Sequence, residues 1–186
     1  MRKDFGVQDW FYPLPVLIVG SYDENGNPDA MNAAWGGVYK HGQVMLCLSE
    51  GHKTTKNIKK NKAFTVSFAD ANHVVEADYV GIVSGNKEPQ KVEKSGLTTT
   101  KSTFVNAPII NEFPLSMECE LLKVTEEGNI IGKVINVSID ENYLNEDEKL
   151  DMTKFSPISF DPVNNLYFKL GESVGKAFQE GQKLNK

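Results

Sequence analysis

Hydrophobic and polar residues alternate along this chain with a period of two more often than with a helical period. In LSMECEL (115–121), Leu115, Met117, Cys119 and Leu121 fall on one side and Ser116, Glu118 and Glu120 on the other. FTVSF (64–68) repeats the pattern, and so do Ile135, Val137 and Ile139 with Asn136 and Ser138 between them. Successive side chains of a strand point to opposite faces, so these stretches predict half-buried β-strands. VLIVGSY (16–22) and VMLCLS (44–49) are continuous apolar runs, which predict strands close to the core. DENGNPD (23–29) carries Asn25-Gly26, a strong hairpin signal, and TEEGN (125–129) predicts a second hairpin turn.

Helical patterns are few and short. TTKNIKKNK (54–62) predicts one, with Thr54 as its N-cap and Lys59 and Lys60 at its C-terminal end. HVVEADYVGIVSG (73–85) predicts a second, ending at Gly85. In the tail, LGESVGKAFQEG (170–181) spaces Leu170, Val174 and Phe178 four apart, which predicts an amphipathic docking helix. Many strands with few helices predict a mainly β protein, a barrel with helical additions, and residues 1–186 read as one domain.

Composition narrows the function. The chain is 40% hydrophobic and 24% charged, which suits a globular protein with a sizeable core. Its net charge of -5 argues against nucleic acid as the main partner. The opening MRKDFGVQDW lacks the long apolar region of a signal peptide, and VLIVG (16–20) is too short to cross a bilayer. A cytoplasmic protein without a membrane partner is expected. Cys47 and Cys119 both lie in apolar strand-like runs, which predicts two buried, reduced thiols.

Several familiar chemistries are absent. No two glycines are separated by one residue, so there is no G-x-G-x-x-G. GVYKHGQV has the glycine spacing of a phosphate-binding loop, but Gln43 stands where the lysine is needed. DENGNPD lacks the ligand spacing of a calcium loop. His73 and Glu76 are too few for a metal site, and no G-x-S-x-G supports serine-hydrolase chemistry.

Two segments carry a positive signal. In DAMNAAWGGVYKHG (29–42), Ala33, Ala34, Gly36 and Gly37 surround Trp35 directly after Asn32. Small residues let a backbone approach a flat group, and a carboxamide can donate to or accept from the edge of a heterocycle. Read locally, the same stretch is a bulged strand with Trp35 packed in the core. In CLSEGHKTTKNIKKNKAF (47–64), a strand ends at Ser49, a loop follows and a helix begins. Free N–H groups at a helix N-terminus attract an anion, and Ser49, His52, Lys53, Thr54 and Thr55 add donors and charge. The plain alternative is a solvated, lysine-rich helix with a threonine cap.

These segments occur in a fixed order with others: FYPLPVLIVGSYDENGNPDAMNAAWGG, LCLSEGHKTTKNIKKNKAFTVSF, ADYVGIVSG followed by Lys91, APIINEFPLSMECEL, and the tail YFKLGESVGKAF. From about Phe11 to Phe178 the chain resembles the flavin reductase-like, FMN-binding split-barrel family, in particular its flavoredoxin-type branch. The resemblance implies a six-stranded split β-barrel of Greek-key type with a few short peripheral helices. It also implies a homodimer with FMN near the subunit interface. Asn32, Ala33, Ala34 and Trp35 would lie along the flavin and Leu48 and Ser49 would close on it. His52, Lys53, Thr54 and Thr55 would hold the phosphate or ribityl chain. Family members often carry an Asp-Lys-Phe-like run where this chain has Gln90-Lys91-Val92; Lys91 stands at the matching position with different neighbours, so the resemblance assigns it no role, and read locally it is a surface lysine.

With FMN bound, the demanding chemistry belongs to the flavin, so no side-chain acid or base is required and no catalytic residue is assigned. Three functions remain: an NAD(P)H-dependent flavin reductase or small FMN oxidoreductase, an FMN electron carrier serving protein partners, and a β-barrel binding module without cofactor.

Overall fold

A computed structural model describes residues 1–184. β1 (Leu14–Pro15) and β2 (Leu17–Tyr22) come first, followed by β3 (Pro28–Ala33), β4 (Gly36–Lys40) and β5 (Gln43–Leu46). Next are α1 (Lys53–Asn61), β6 (Ala63–Phe68), α2 (Val74–Ile82) and the short α3 (Lys91–Lys94). β7 (Thr99–Lys101) and β8 (Pro108–Ile110) form a small ribbon. β9 (Leu115–Val124) and β10 (Ile130–Ile139) form a long hairpin, and β11 (Ile158–Asp161) and β12 (Leu166–Lys169) a final one.

Seven strands pair antiparallel in the order β3-β2-β6-β9-β10-β5-β4. The two edges, β3 and β4, are consecutive in the chain and separated only by Ala34 and Trp35. Two residues span less than about 7 Å beyond their neighbours, so the sheet has to curl until its edges meet. The result is a split β-barrel. The expected six strands are recovered when 28–40 is counted as one bent strand whose halves serve the two edges.

Both predicted hairpin turns form. Asp23 accepts hydrogen bonds from the N–H groups of Asn25 and Asn27, each at 2.9 Å, and Gly26 takes a left-handed φ of 81°. The continuous apolar run of β2 is buried on both faces. Leu17 and Val19 point into the barrel beside Leu46, Phe64, Val66 and Cys119. Val16 and Ile18 point outward, where Ala77 and Val80 of α2, Val92 of α3 and Ile158 cover them. On β3, Met31 and Ala33 join the barrel interior, while Ala30 packs under α2.

Six expectations need correction. The tail 170–181 is not an α-helix: residues 170–176 have no regular structure, a 3-10 turn covers Glu180–Leu184, and Val174 and Phe178 are exposed. Gly171 and Gly175 interrupt the stripe and Phe178 takes a φ of 64°, so the apolar spacing meets a chain that favours neither helix nor contact. Ser116 and Glu118 on β9 are buried rather than solvated. Ser102, beside the β7–β8 ribbon, and Asn136 of β10 donate to the Glu118 carboxylate, and Ser67 meets Ser116 at 3.2 Å. Cys47 is half-buried, because it lies beyond the end of β5, whereas Cys119 is buried as expected. Burial, with Glu118 adding to it, pushes the Cys119 thiol up to about 12. The other three concern Thr54, Trp35 and Lys91 and are taken up with the site below.

The barrel interior depends on a fitted pair. Phe64 is fully buried and its ring fills the space above Gly132 on β10, where any Cβ would run into it. Phe64→Ala is expected to cost about 3–5 kcal/mol in urea unfolding. Gly132→Val in the native background is expected to destabilise through overpacking, and in the Phe64→Ala background to recover part of the loss. Additive effects of the two substitutions would show that the ring and the glycine are not fitted to each other.

Candidate functional site

The bend at Ala34–Trp35 and the first turn of α1 lie close together because β5 runs back beside β4, with the Cys47 N–H donating to the Trp35 carbonyl at 2.8 Å. From there the chain passes Leu48 and Ser49 into α1. His52 is the N-cap, and it makes no side-chain capping bond. Thr54, expected to cap, instead donates from Oγ1 to Asp29 Oδ2 at 2.6 Å. Thr55 Oγ1 donates to the Ser49 carbonyl at 2.9 Å. A buried carboxylate on the neighbouring strand outcompetes the local cap, because an unpaired Asp29 would be far more costly than an uncapped helix end. The N–H groups of the first turn of α1 are left facing outward as anion donors.

A cleft of about 300 Å³ opens against this turn. Met31 and Asn32 of β3 form one wall, His52, Lys53 and Thr54 a second, and the end of α2 with Ser84, Gly85 and Lys91 the third. Two glycines make it narrow. A Cβ on Gly81 would lie 2.9 Å from Asn32 Cβ, and one on Gly85 would lie 2.5 Å from Asp29 Oδ1. Lys53 leans away from the cleft floor to pair with Asp23 at 3.3 Å. Burial would raise the Asp23 carboxyl, but hydrogen bonds from Asn27, Asn25 and Lys53 hold it below the ordinary value.

Lys91 is buried at 3% exposure, not on the surface. Its Nζ donates to the carbonyls of Val80 and Val83 at 3.1 Å each and stands 3.6 Å from Asp29 Oδ1. A cation thus sits at the C-terminal end of α2, where the helix dipole favours it. Burial pulls the Lys91 ammonium below the ordinary lysine value, and the Asp29 carboxylate opposes that. One charge cluster therefore joins β3, the start of α1, the end of α2 and α3. At its other end α2 is anchored by buried Asp70, which accepts from the N–H groups of Asn72 and His73 and lies 2.9 Å from His73 Nδ1.

The expected site residues divide. Asn32, His52, Lys53 and Thr54 line the cleft together. Ala33 and Leu48 belong to the barrel interior, Thr55 is buried beneath the turn, and Ser49 is exposed at its edge. Ala34 is half-buried at the bend, and Trp35 is 54% exposed there, which overturns its packing in the core. Asp29, Gly81 and Lys91 were missing from the expected set. Gly85 could be found as the end of IVSG, but nothing local marks Lys91, whose partners lie elsewhere in the chain.

Lys91→Met is expected to cost about 3–5 kcal/mol in chemical denaturation, since it leaves Asp29 buried without its cation. Adding Asp29→Asn should return part of that loss, so that the double variant costs less than the two single variants summed. Simple additivity would mean that the two groups do not act together.

Comparison with known proteins agrees with this architecture. Residues 10–164 match the model of the flavin reductase like domain. The structure of flavoredoxin from Desulfovibrio vulgaris (Miyazaki F) is similar at a TM-score of 0.93 and 36% identity, over 97% of this chain and 100% of that one. Flavoredoxin from Methanosarcina acetivorans gives 0.86 and 27%, over 98% of this chain and 100% of that one. An uncharacterized protein of Aquifex aeolicus is 32% identical over 159 residues, which cover 78% of this chain and 79% of the relative. With the split barrel and the matched domain in agreement, the chain belongs to the flavin reductase-like family of split-barrel flavoproteins.

Proposed function

We propose that the protein is an FMN-binding oxidoreductase that takes electrons from NAD(P)H and passes them on through bound FMN. The observation that carries this reading is the cleft, which joins a helix N-terminus with outward N–H groups to a flat strand edge at Asn32. The residues fit the cofactor in kind. The first turn of α1, with His52 and Lys53, would hold the phosphate, and the small-residue stretch from Asn32 to Trp35 would lie along the ring, with Leu48 and Ser49 behind it. Thr54 and Thr55 serve that turn through their internal hydrogen bonds, and so position its N–H groups. When bound, FMN supplies the hydride and electron chemistry, which leaves the chain to bind, orient and tune it. Lys53 and Lys91 line the cleft but are each paired with a carboxylate, so the pull on an anionic cofactor rests on the first-turn N–H groups of α1 and the helix dipole.

A second reading, an FMN electron carrier without NAD(P)H activity, draws support from the likeness to proteins titled flavoredoxin. Two features favour a homodimer with the cofactor near its interface. Trp35, Val38 and Tyr39 are exposed side by side along an edge of the barrel, and Val174 and Phe178 project from the tail. No helix among the described residues is long and apolar enough to cross a membrane, and a cytoplasmic location is part of this proposal.

The visible spectrum of the purified protein under anaerobic conditions tests the proposal. A flavin band that bleaches on addition of NADH or NADPH is expected. A band that persists selects the carrier, and no band even after incubation with FMN overturns both. Light scattering is expected to give about twice the 20.7 kDa chain mass, and Val38→Glu to lower it towards one chain; a native protein of single-chain mass contradicts the dimer.

A further inference from the structure

One side chain of the cleft wall has its hydrogen-bonding choices narrowed by its neighbours. Asn32 Nδ2 donates to the Ala77 carbonyl of α2 at 3.1 Å. A carbonyl oxygen only accepts, so the amide nitrogen has to be the atom that faces it. The contact is close because Gly81 has no side chain: a Cβ there would sit 2.9 Å from Asn32 Cβ. A glycine inside a helix is otherwise unfavourable. Tyr167 packs against the cluster that contains Ala77 and Val80. Its hydroxyl gives its proton to Asp78 Oδ1 at 2.8 Å, so it has no proton left for Asn32 Oδ1. Burial and the Asp78 carboxylate push the Tyr167 hydroxyl up to about 12, and Asn32 works the other way.

The bond to Ala77 fixes the amide, because a flip would set Oδ1 against the Ala77 carbonyl. No group among the described residues donates to Oδ1, yet no buried side-chain oxygen or nitrogen among them lacks a partner. Asn32 Oδ1 is therefore open to the cleft that Asn32 lines. The carboxamide thus keeps an unused acceptor on the cleft side.

We propose that Asn32 is a specificity residue that reads the flavin through Oδ1, as the acceptor for a ring N–H. The inference rests on the FMN reading of the cleft. An oxidised isoalloxazine carries one ring N–H, at N3, and reduction adds one at N5. A group with no donor at that edge leaves Oδ1 dehydrated and unpaired, so ring systems lacking the N–H are rejected. The Ala77 carbonyl is the positioning group, because it keeps the amide from flipping.

The test titrates FMN and N3-methyl-FMN into the native protein and into Asn32→Leu, and measures the midpoint potential of the bound FMN. The native comparison needs no variant to fold. At least tenfold weaker binding of N3-methyl-FMN to the native protein, with the gap closing in Asn32→Leu, is expected and identifies N3–H as the donor. Equal binding of the two ligands, with a potential lower by about 30 mV in Asn32→Leu, supports the proposal with N5–H as the donor; that shift is a tenfold loss in affinity for the reduced form of a two-electron couple. Equal binding with an unchanged potential overturns it, as does a gap that persists in Asn32→Leu, which would be steric. Failure of the native protein to bind FMN at all overturns the cofactor reading, and this proposal with it.

Discussion

The contact between Asp29, Thr54 and Lys91 determines the shape of the cleft more than any other. A carboxylate as buried as Asp29 has to be paired. Its two oxygens are answered from two directions, by the first turn of α1 at Oδ2 and by the Lys91 ammonium at Oδ1. The same ammonium must spend its remaining protons, and it does so on Val80 and Val83 at the end of α2. Each wall of the cleft is therefore fixed by what a neighbouring wall needs for its own polar groups. Such a cluster contributes little net stability compared with an apolar substitute of the same volume. What it provides is registration: α1 and α2 cannot shift along β3 without leaving a charge unpaired.

The barrel supplies the rigid frame for that cluster. Since β3 and β4 are two halves of one bent strand, the bend at Ala34–Trp35 is where the sheet changes edges. The strand alternation sorts the residues that precede it. Met31 and Ala33 go to the barrel interior, while Ala30 and Asn32 go to the α2 side. A shift of one residue in the β2–β3 register would exchange those faces, replacing the Asn32 amide with an apolar side chain and burying the amide in the barrel. The eight buried residues of β2 and β3 that fix this register are thus also what places Asn32 in the cleft.

What could be read in the sequence follows from the range of the forces involved. Strands in 64–68 and 115–121 are written in local alternation, that in 16–22 in a continuous apolar run, and the turns at Asn25-Gly26 and Gly128 in local conformational preference. The split barrel, and four cleft residues from Asn32 to Thr54, came from the order of whole segments. Failures occurred where a distant group overrode a local rule. Thr54 has the right position for a cap but a stronger claim from Asp29. Ser116 and Glu118 lie on the polar side of a strand but under a covering ribbon. Lys91 has charged and polar neighbours in sequence, and only the fold reveals that its partners are Asp29 and two helix-end carbonyls. The tail failed for the opposite reason: the four-residue spacing of Leu170, Val174 and Phe178 was legible, but among the described residues no surface receives it and all three are exposed.

This division also explains why the cleft lacks an obvious acid or base. The carboxylates and ammonium groups around it are committed to one another or to hydroxyls: Asp29 to Thr54 and Lys91, Lys53 to Asp23, and Asp78 to Tyr167. A site built to move protons needs a group left free to titrate near neutral pH. Apart from the His52 imidazole on one wall, the polar groups that remain open are ones that do not titrate, the first-turn N–H groups of α1 and Asn32 Oδ1. Fixed dipoles of that kind hold and tune a bound cofactor without exchanging protons with it, and their cost is met once, on folding, rather than at each turnover. The arrangement is what is expected when the reactive group is brought by the ligand and the protein has only to recognise it.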